Sequence, residues 1–118
     1  MTQTTETTRT APYIFRCTGT LIYSEPCNPY ETIEIYLEYE PEFLAIKSWI
    51  SEHGPDGVSS WHGIFLDLEN QRKLRSMLDR SIREFLQIYL KEHSNLGLIG
   101  LSRFLDEHGI TYDTKMAF

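Results

Sequence analysis

Cysteine is scarce in this sequence: Cys17 and Cys27 are the only two in 118 residues. Two thiols cannot build a disulfide framework, so they read as reduced cysteines in a cytoplasmic protein. Apolar runs are short, and none reaches the roughly 18 residues of a membrane span. The first residues show no basic stretch followed by an apolar one, so no secretory signal is expected. Positive charge is also short. Eleven Lys and Arg against seventeen Asp and Glu leave a net charge of −6, which repels phosphate backbones and anionic lipid at long range. Patterns that carry chemistry are missing too. His53, His62, His93 and His108 form neither H-x-x-x-H nor H-E-x-x-H, and Gly97-Leu-Ile-Gly100 lacks the lysine of a phosphate loop. No G-x-S-x-G surrounds Ser59 or Ser60. The expectation is a non-enzymatic protein with no metal and no cofactor.

What is present is enough chain for one domain, which at this length buries about two-thirds of its unfolded surface. Aromatic residues make up 13%, so a core or an interface must hold many rings. Residues 1–11 are Thr-rich and apolar-poor and read as a disordered tail. Residues 12–118 read as a single α+β domain.

Tyr13 to Tyr23 has the residue types of a strand, with Tyr13, Phe15, Cys17, Leu21 and Tyr23 on one face and Ile14 and Ile22 at the ends of the other. Ser24 to Tyr30, with two prolines and an asparagine, reads as a loop. Glu31 to Tyr39 alternates cleanly: Ile33, Ile35, Leu37 and Tyr39 inward, Glu34, Tyr36 and Glu38 outward. Pro41 to His53 is ambiguous. Pro41, Glu42 and Gly54 suit a helix start and stop. In a helical projection, however, the apolar residues scatter around the axis. As a strand, Leu44, Ile46 and Ile50 share one face and Ala45, Lys47 and Trp49 the other, and this reading is preferred. Gly54 to Gly57 is a turn, Trp61 to Leu66 a strand, and Asp67 the N-cap of a following helix. That helix is expected over 68–93, with a stripe of Leu74, Leu78, Ile82, Phe85 and Tyr89 and a basic face of Arg72, Lys73, Arg80 and Arg83. A shorter helix, Leu98 to His108, stops at Gly109, and Ile110 to Phe118 is a tail or a short docking strand. The expected fold is thus a four-stranded antiparallel sheet followed by a long amphipathic helix and a short C-terminal helix. The alternative is three strands with an extra helix at 41–53.

Charge is segregated along the chain. Residues 24–70 hold ten acids and one base, Lys47, while residues 71–93 hold six bases and three acids. A solvated helix beside an acidic sheet accounts for this, and so does a bipolar surface that pairs with a second copy or a partner.

Candidate chemistry is thin. His93 and His108 fall near helix C-termini, where a cation is favoured by the dipole. His53 and His62, with Cys27 or Asp56, have no diagnostic metal spacing. Cys17 falls on an inward strand face, where a thiol is inert. The carboxylate pairs Glu34/Glu38, Glu40/Glu42 and Asp67/Glu69 lie on solvent faces or at a helix start, without the desolvation that acid–base work requires. The aromatic residues are more informative. If 43–50 is a strand, Tyr36 and Trp49, with Trp61 or Phe65, share the sheet face away from the helix. Rings there bury against a protein or stack on unpaired bases, unless the C-terminal helix and tail cover them.

Four antiparallel strands entering one long helix, with a Gly-rich turn between the third and fourth, resemble the Pur-alpha repeat. Whirly-type and positive-cofactor-four domains look similar. The likeness is carried by Glu42-Phe-Leu-Ala-Ile-Lys, the Gly54–Gly57 turn and Gly63-Ile-Phe-Leu-Asp-Leu with the helix after it, and it covers about residues 13–90. It implies single-stranded nucleic-acid binding on the sheet, by position through Tyr36, Lys47, Trp49 and Phe65, and dimerisation. The family's binding face is basic, whereas here Glu34 and Glu38 stand among the aromatics. The expected function is therefore a regulatory or adaptor domain that binds other proteins, as a homodimer, through Tyr36, Lys47, Trp49, Trp61 and Phe65. Single-stranded nucleic acid is the alternative partner, disfavoured by net charge.

Overall fold

Strict alternation makes residues 31–39 a strand, and the computed structural model has the strand there, Glu31–Tyr39, with the burial alternating along it. The structure describes residues 19–28, 31–52, 59–93 and 97–117. In chain order the elements are β1 (Thr20–Asn28), β2 (Glu31–Tyr39), β3 (Phe43–Glu52), β4 (Ser59–Asp67), α1 (Leu68–Ser76), α2 (Ile82–Glu92), α3 (Gly97–Glu107) and β5 (Asp113–Ala117). The strands form one antiparallel sheet in the order β1-β2-β3-β4-β5. The fold is α+β, with five strands and three helices among the described residues rather than four and two. The expected tail at 1–11, the start of the first expected strand with Cys17, and the Gly54–Gly57 turn lie outside the described residues.

The ambiguous segment is β3. Leu44 pairs with Tyr39 on one side and Leu66 on the other, and Ile46 with Leu37 and Ile64. Leu44 and Ile46 are fully buried. A helix would scatter these residues, whereas the strand delivers them to one face. Pro41, which has no N–H to give to a ladder, stays in the turn before β3, closed by the Glu40 N–H donating to the Phe43 carbonyl at 2.8 Å.

Two expectations about the first strand fail. Residues 24–28, expected in a loop, belong to β1. Pro26 is tolerated because β1 is a terminal strand of the described sheet and its pairing is irregular between Pro26 and Asn28. The register also shifts between Leu21 and Tyr23. This bulge turns Ile22 into the core, 6% exposed, and leaves Leu21 46% exposed, the reverse of simple alternation. Gly19, just before β1, has φ +93, and a Cβ on it would stand 2.6 Å from the Leu37 carbonyl oxygen. Only glycine fits there. Tyr39, expected inward, is exposed at the end of β2.

The single long helix also fails: α1 and α2 are separate. The Met77 N–H turns back to the Arg75 and Leu74 carbonyls and ends α1. Ser81 then opens α2 with a reciprocal capping box, its hydroxyl accepting from the Glu84 N–H at 3.1 Å while Glu84 receives the Ser81 N–H at 3.4 Å. The apolar spacing runs through the break because both helices pack on the same core. The buried line of α2 is Ile82, Leu86 and Leu90, with Phe85 and Tyr89 half-buried beside it. At the other helix start the Asp67 carboxylate accepts the Asn70 N–H at 2.8 Å, as the N-cap reading expects.

One face of the sheet meets all three helices. Ile33, Ile35, Leu37, Leu44, Ile46, Ile64 and Leu66 form one cluster with Leu74, Leu86, Leu98, Leu101 and Leu105. After α3, Gly109 at φ +70 reverses the chain. Buried Asn70 then catches it, its Oδ1 accepting the Thr111 N–H at 2.9 Å, and β5 is laid against β4. The segment that the sequence leaves as tail or strand is a strand.

Candidate functional site

Period-two geometry decides which side chains share the other face of the sheet. Tyr36 pairs with Lys47, Trp49 with Trp61, and Phe65 with Ala45. All five sequence candidates, Tyr36, Lys47, Trp49, Trp61 and Phe65, therefore stand on the face opposite the core cluster. The rings make two contacting sets. Trp49 and Trp61 have centroids 4.7 Å apart, Tyr36 and Trp61 6.1 Å, and Phe65 packs edge-on against Phe43 at 5.5 Å. Such tilted and edge-on arrangements are the favoured ones for aromatic pairs. None of the three helices contributes to this group, since their buried apolar side chains belong to the core on the other face. The C-terminal helix is not its cover.

Exposure divides the five. Trp61 and Phe65 are each 8% exposed and Lys47 is fully buried. Tyr36 and Trp49 are half-buried. Trp61 and Phe65 are thus the floor of the patch, and Tyr36 and Trp49 its accessible part. The Tyr36 hydroxyl donates to Glu34 at 3.1 Å, which adds a carboxylate to the rim.

Lys47 is the feature that composition could not foretell. Its ammonium lies 2.8 Å from the Glu38 Oε1 and 5.7 Å from the Trp61 ring centroid. The pair is diagonal, because Glu38 stands two residues along β2 from the cross-strand partner of Lys47. A cation removed from water needs this kind of compensation, from an anion and a ring face. Lys47 is held inside the patch by these contacts and is not offered to solvent.

The expected basic helix face is dispersed. Arg72 and Lys73 are on α1, Arg80 in the connection and Arg83 on α2, all four exposed. Arg80 is engaged by Asp79 at 3.1 Å, and Lys73 lies 4.0 Å from Glu69. The Arg80 guanidinium, by hydrogen bond and charge, holds the Asp79 carboxyl below its ordinary value. The break between the helices also makes a groove of about 530 Å³, lined by Met77, Leu78, Arg80, Phe85, Ile88 and Tyr89 among others. Nothing in the apolar spacing signals it, although the Ser81-x-x-Glu84 capping pattern could have placed the break.

The histidines at helix ends are structural. His93 and His108 set Nδ1 at 2.9 and 2.8 Å from the carbonyls of Tyr89 and Phe104, and each ring lies over the aromatic ring of that same residue. His62 sits on the core face of β4, between Ser48 and Met116 in the register, and burial lowers its pKa. His53, Asp56 and the Cys27 side chain lie outside the described residues. Among the described residues no three His, Cys, Asp or Glu side chains are grouped to hold a metal, and no helix is long and apolar enough to cross a membrane.

Compared with known proteins, the chain matches no protein-family model, and no similar curated protein or solved structure was found. The functional reading therefore stands on the geometry.

Proposed function

We propose that this chain is a non-enzymatic regulatory or adaptor domain that binds another protein through the helix-free face of its sheet and works as a homodimer. The observation that carries the reading is Trp49. It is a half-buried indole packed at a tilt on a buried second indole, centroids 4.7 Å apart, with Tyr36 beside it. A large ring held rigid by a buried partner has little entropy left to lose on binding, which is the character of an interface anchor. The carboxylate of Glu34, the cross-strand neighbour of Trp49 on β2, favours a partner with a basic surface there.

Capture from an extract of the source cells, with the domain and its Trp49→Ala variant as parallel baits, tests this. A partner held by the first and lost by the second, with the variant's circular dichroism unchanged, is the expected result. Equal capture by both removes the proposed surface.

Single-stranded nucleic acid, the ligand that the Pur-alpha resemblance implies, is the second reading. Half-buried Tyr36 and Trp49 favour it, since such rings can stack on bases. Charge opposes it: Lys47 is the only base on β2, β3 and β4, and it is buried beside Glu38. Titration with labelled single-stranded oligonucleotides at low salt, where a phosphate contribution is largest, decides the matter. Absence of binding there eliminates it.

A further inference from the structure

The outer edge of β5 is a self-complementary strand. β5 is the terminal strand of the described sheet, bound on one side by β4. Asp113, Thr114, Lys115 and Met116 are all exposed, Met116 at 62%. Asp113 stands opposite Phe65 and Lys115 opposite Gly63, so neither finds an ionic partner across the ladder. Neither forms an ion pair with any described residue. The strand is also pinned before it begins, by Asn70 on Thr111 and by the Tyr112 hydroxyl directed at the Ser102 carbonyl, 3.5 Å away. An edge held in place presents its unpaired backbone groups to any strand that fits.

Among the registers centred on residues 113–115, a second copy fits in one. Two antiparallel edges related by a two-fold axis must pair residues of the same face, so the axis passes through a residue. Centred on Asp113 or on Lys115, the pairing sets like charges against each other. Centred on Thr114, it sets Asp113 of each copy against Lys115 of the other and Thr114 against its equivalent. It also brings half-buried Tyr112 against exposed Met116, a favourable ring–thioether contact. Opposite charges and threonine pairs across a ladder each stabilise it modestly.

We infer that the domain dimerises by antiparallel pairing of its β5 edges about Thr114, with Asp113 and Lys115 of the two copies forming reciprocal ion pairs. The inference rests on the functional reading only for the expectation of a homodimer, and it uses a different surface. Because the axis is perpendicular to the sheet, both helix layers fall on one side and both aromatic faces on the other. The Trp49 patches of two copies then lie on one continuous sheet face. An edge of five residues is a small interface, so the dimer is weak.

Sedimentation equilibrium of the intact chain over a wide concentration range, at low and moderate salt, tests this with Lys115→Asp, Asp113→Lys and the double exchange. Each single change turns two attractions into two repulsions and should raise the dissociation constant roughly tenfold or more. The double exchange restores the opposite pairing and should return the dimer. Trp49→Ala should leave self-association unchanged while losing the captured partner, which separates failure of this inference from failure of the sheet-face reading. A chain that stays monomeric at all concentrations overturns the inference. So do single variants that dimerise as before, or a double exchange that fails to recover.

Discussion

Lys47 and Glu38 form an ion pair of 2.8 Å in which the lysine is wholly shielded and the carboxylate is 15% exposed. The pair sits on the face that strand alternation assigns to solvent, and it helps make that face a second, smaller packed layer with Trp61 and Phe65. It also pins the register of β2 on β3, because a slip of one residue would drive the ammonium into the aliphatic core.

Replacing Lys47 by alanine removes the ion pair and the packing of its alkyl stem together. The expected loss is about 3 kcal/mol of unfolding free energy, read from the urea midpoint. Lys47→Met keeps the stem volume and should recover at least half of it. Equal losses for the two variants would place the whole effect in the charge.

Trp49 and Trp61 are cross-strand partners with different roles. Trp61→Ala removes a buried ring and should cost about 3–5 kcal/mol. Trp49→Ala, at a half-buried ring, should cost roughly 1–2 kcal/mol and leave a folded domain. Chemical denaturation of both separates floor from anchor, and a reversed order would contradict the assignment.

Ser81 starts α2 by capping the Glu84 N–H. Ser81→Ala should lower stability by about 1 kcal/mol, whereas Ser81→Asp, which also caps, should be close to neutral. If α1 and α2 were one continuous helix in solution, alanine would be tolerated or even favoured at this position.

His62 links stability to pH. Burial lowers its pKa below the ordinary 6.5, so the folded state favours the neutral ring. Between the lowered value and 6.5 the unfolded chain binds more protons than the folded one. Stability therefore rises with pH through that window, and the contribution is lost as pH falls through the folded value. Thermal unfolding followed from pH 7 downward should show this loss, and His62→Gln should flatten it.

Much of this fold is written locally. The alternation of Ile33, Ile35 and Leu37, and of Leu44 and Ile46, needs only neighbours two residues away, so β2 and β3 are readable in the chain. Asp67 as N-cap and Gly109 as helix stop are readable for the same reason, as is the common face of Tyr36, Lys47, Trp49, Trp61 and Phe65. The rest depended on contacts between distant segments. Periodicity could not place the end of α1, because a stripe of period 3.6 continues across a one-turn break when both helices lie on one core. Ile22 displaced Leu21 from the interior through a bulge that exists only once β1 meets β2. The burial of Lys47 required Glu38 and Trp61 to arrive from two other strands. Whether 113–117 was a tail or a strand was settled by Asn70, 41 residues earlier, and by the free edge of β4. A sequence specifies period and local caps; which face is covered, and by what, is a property of the assembled sheet.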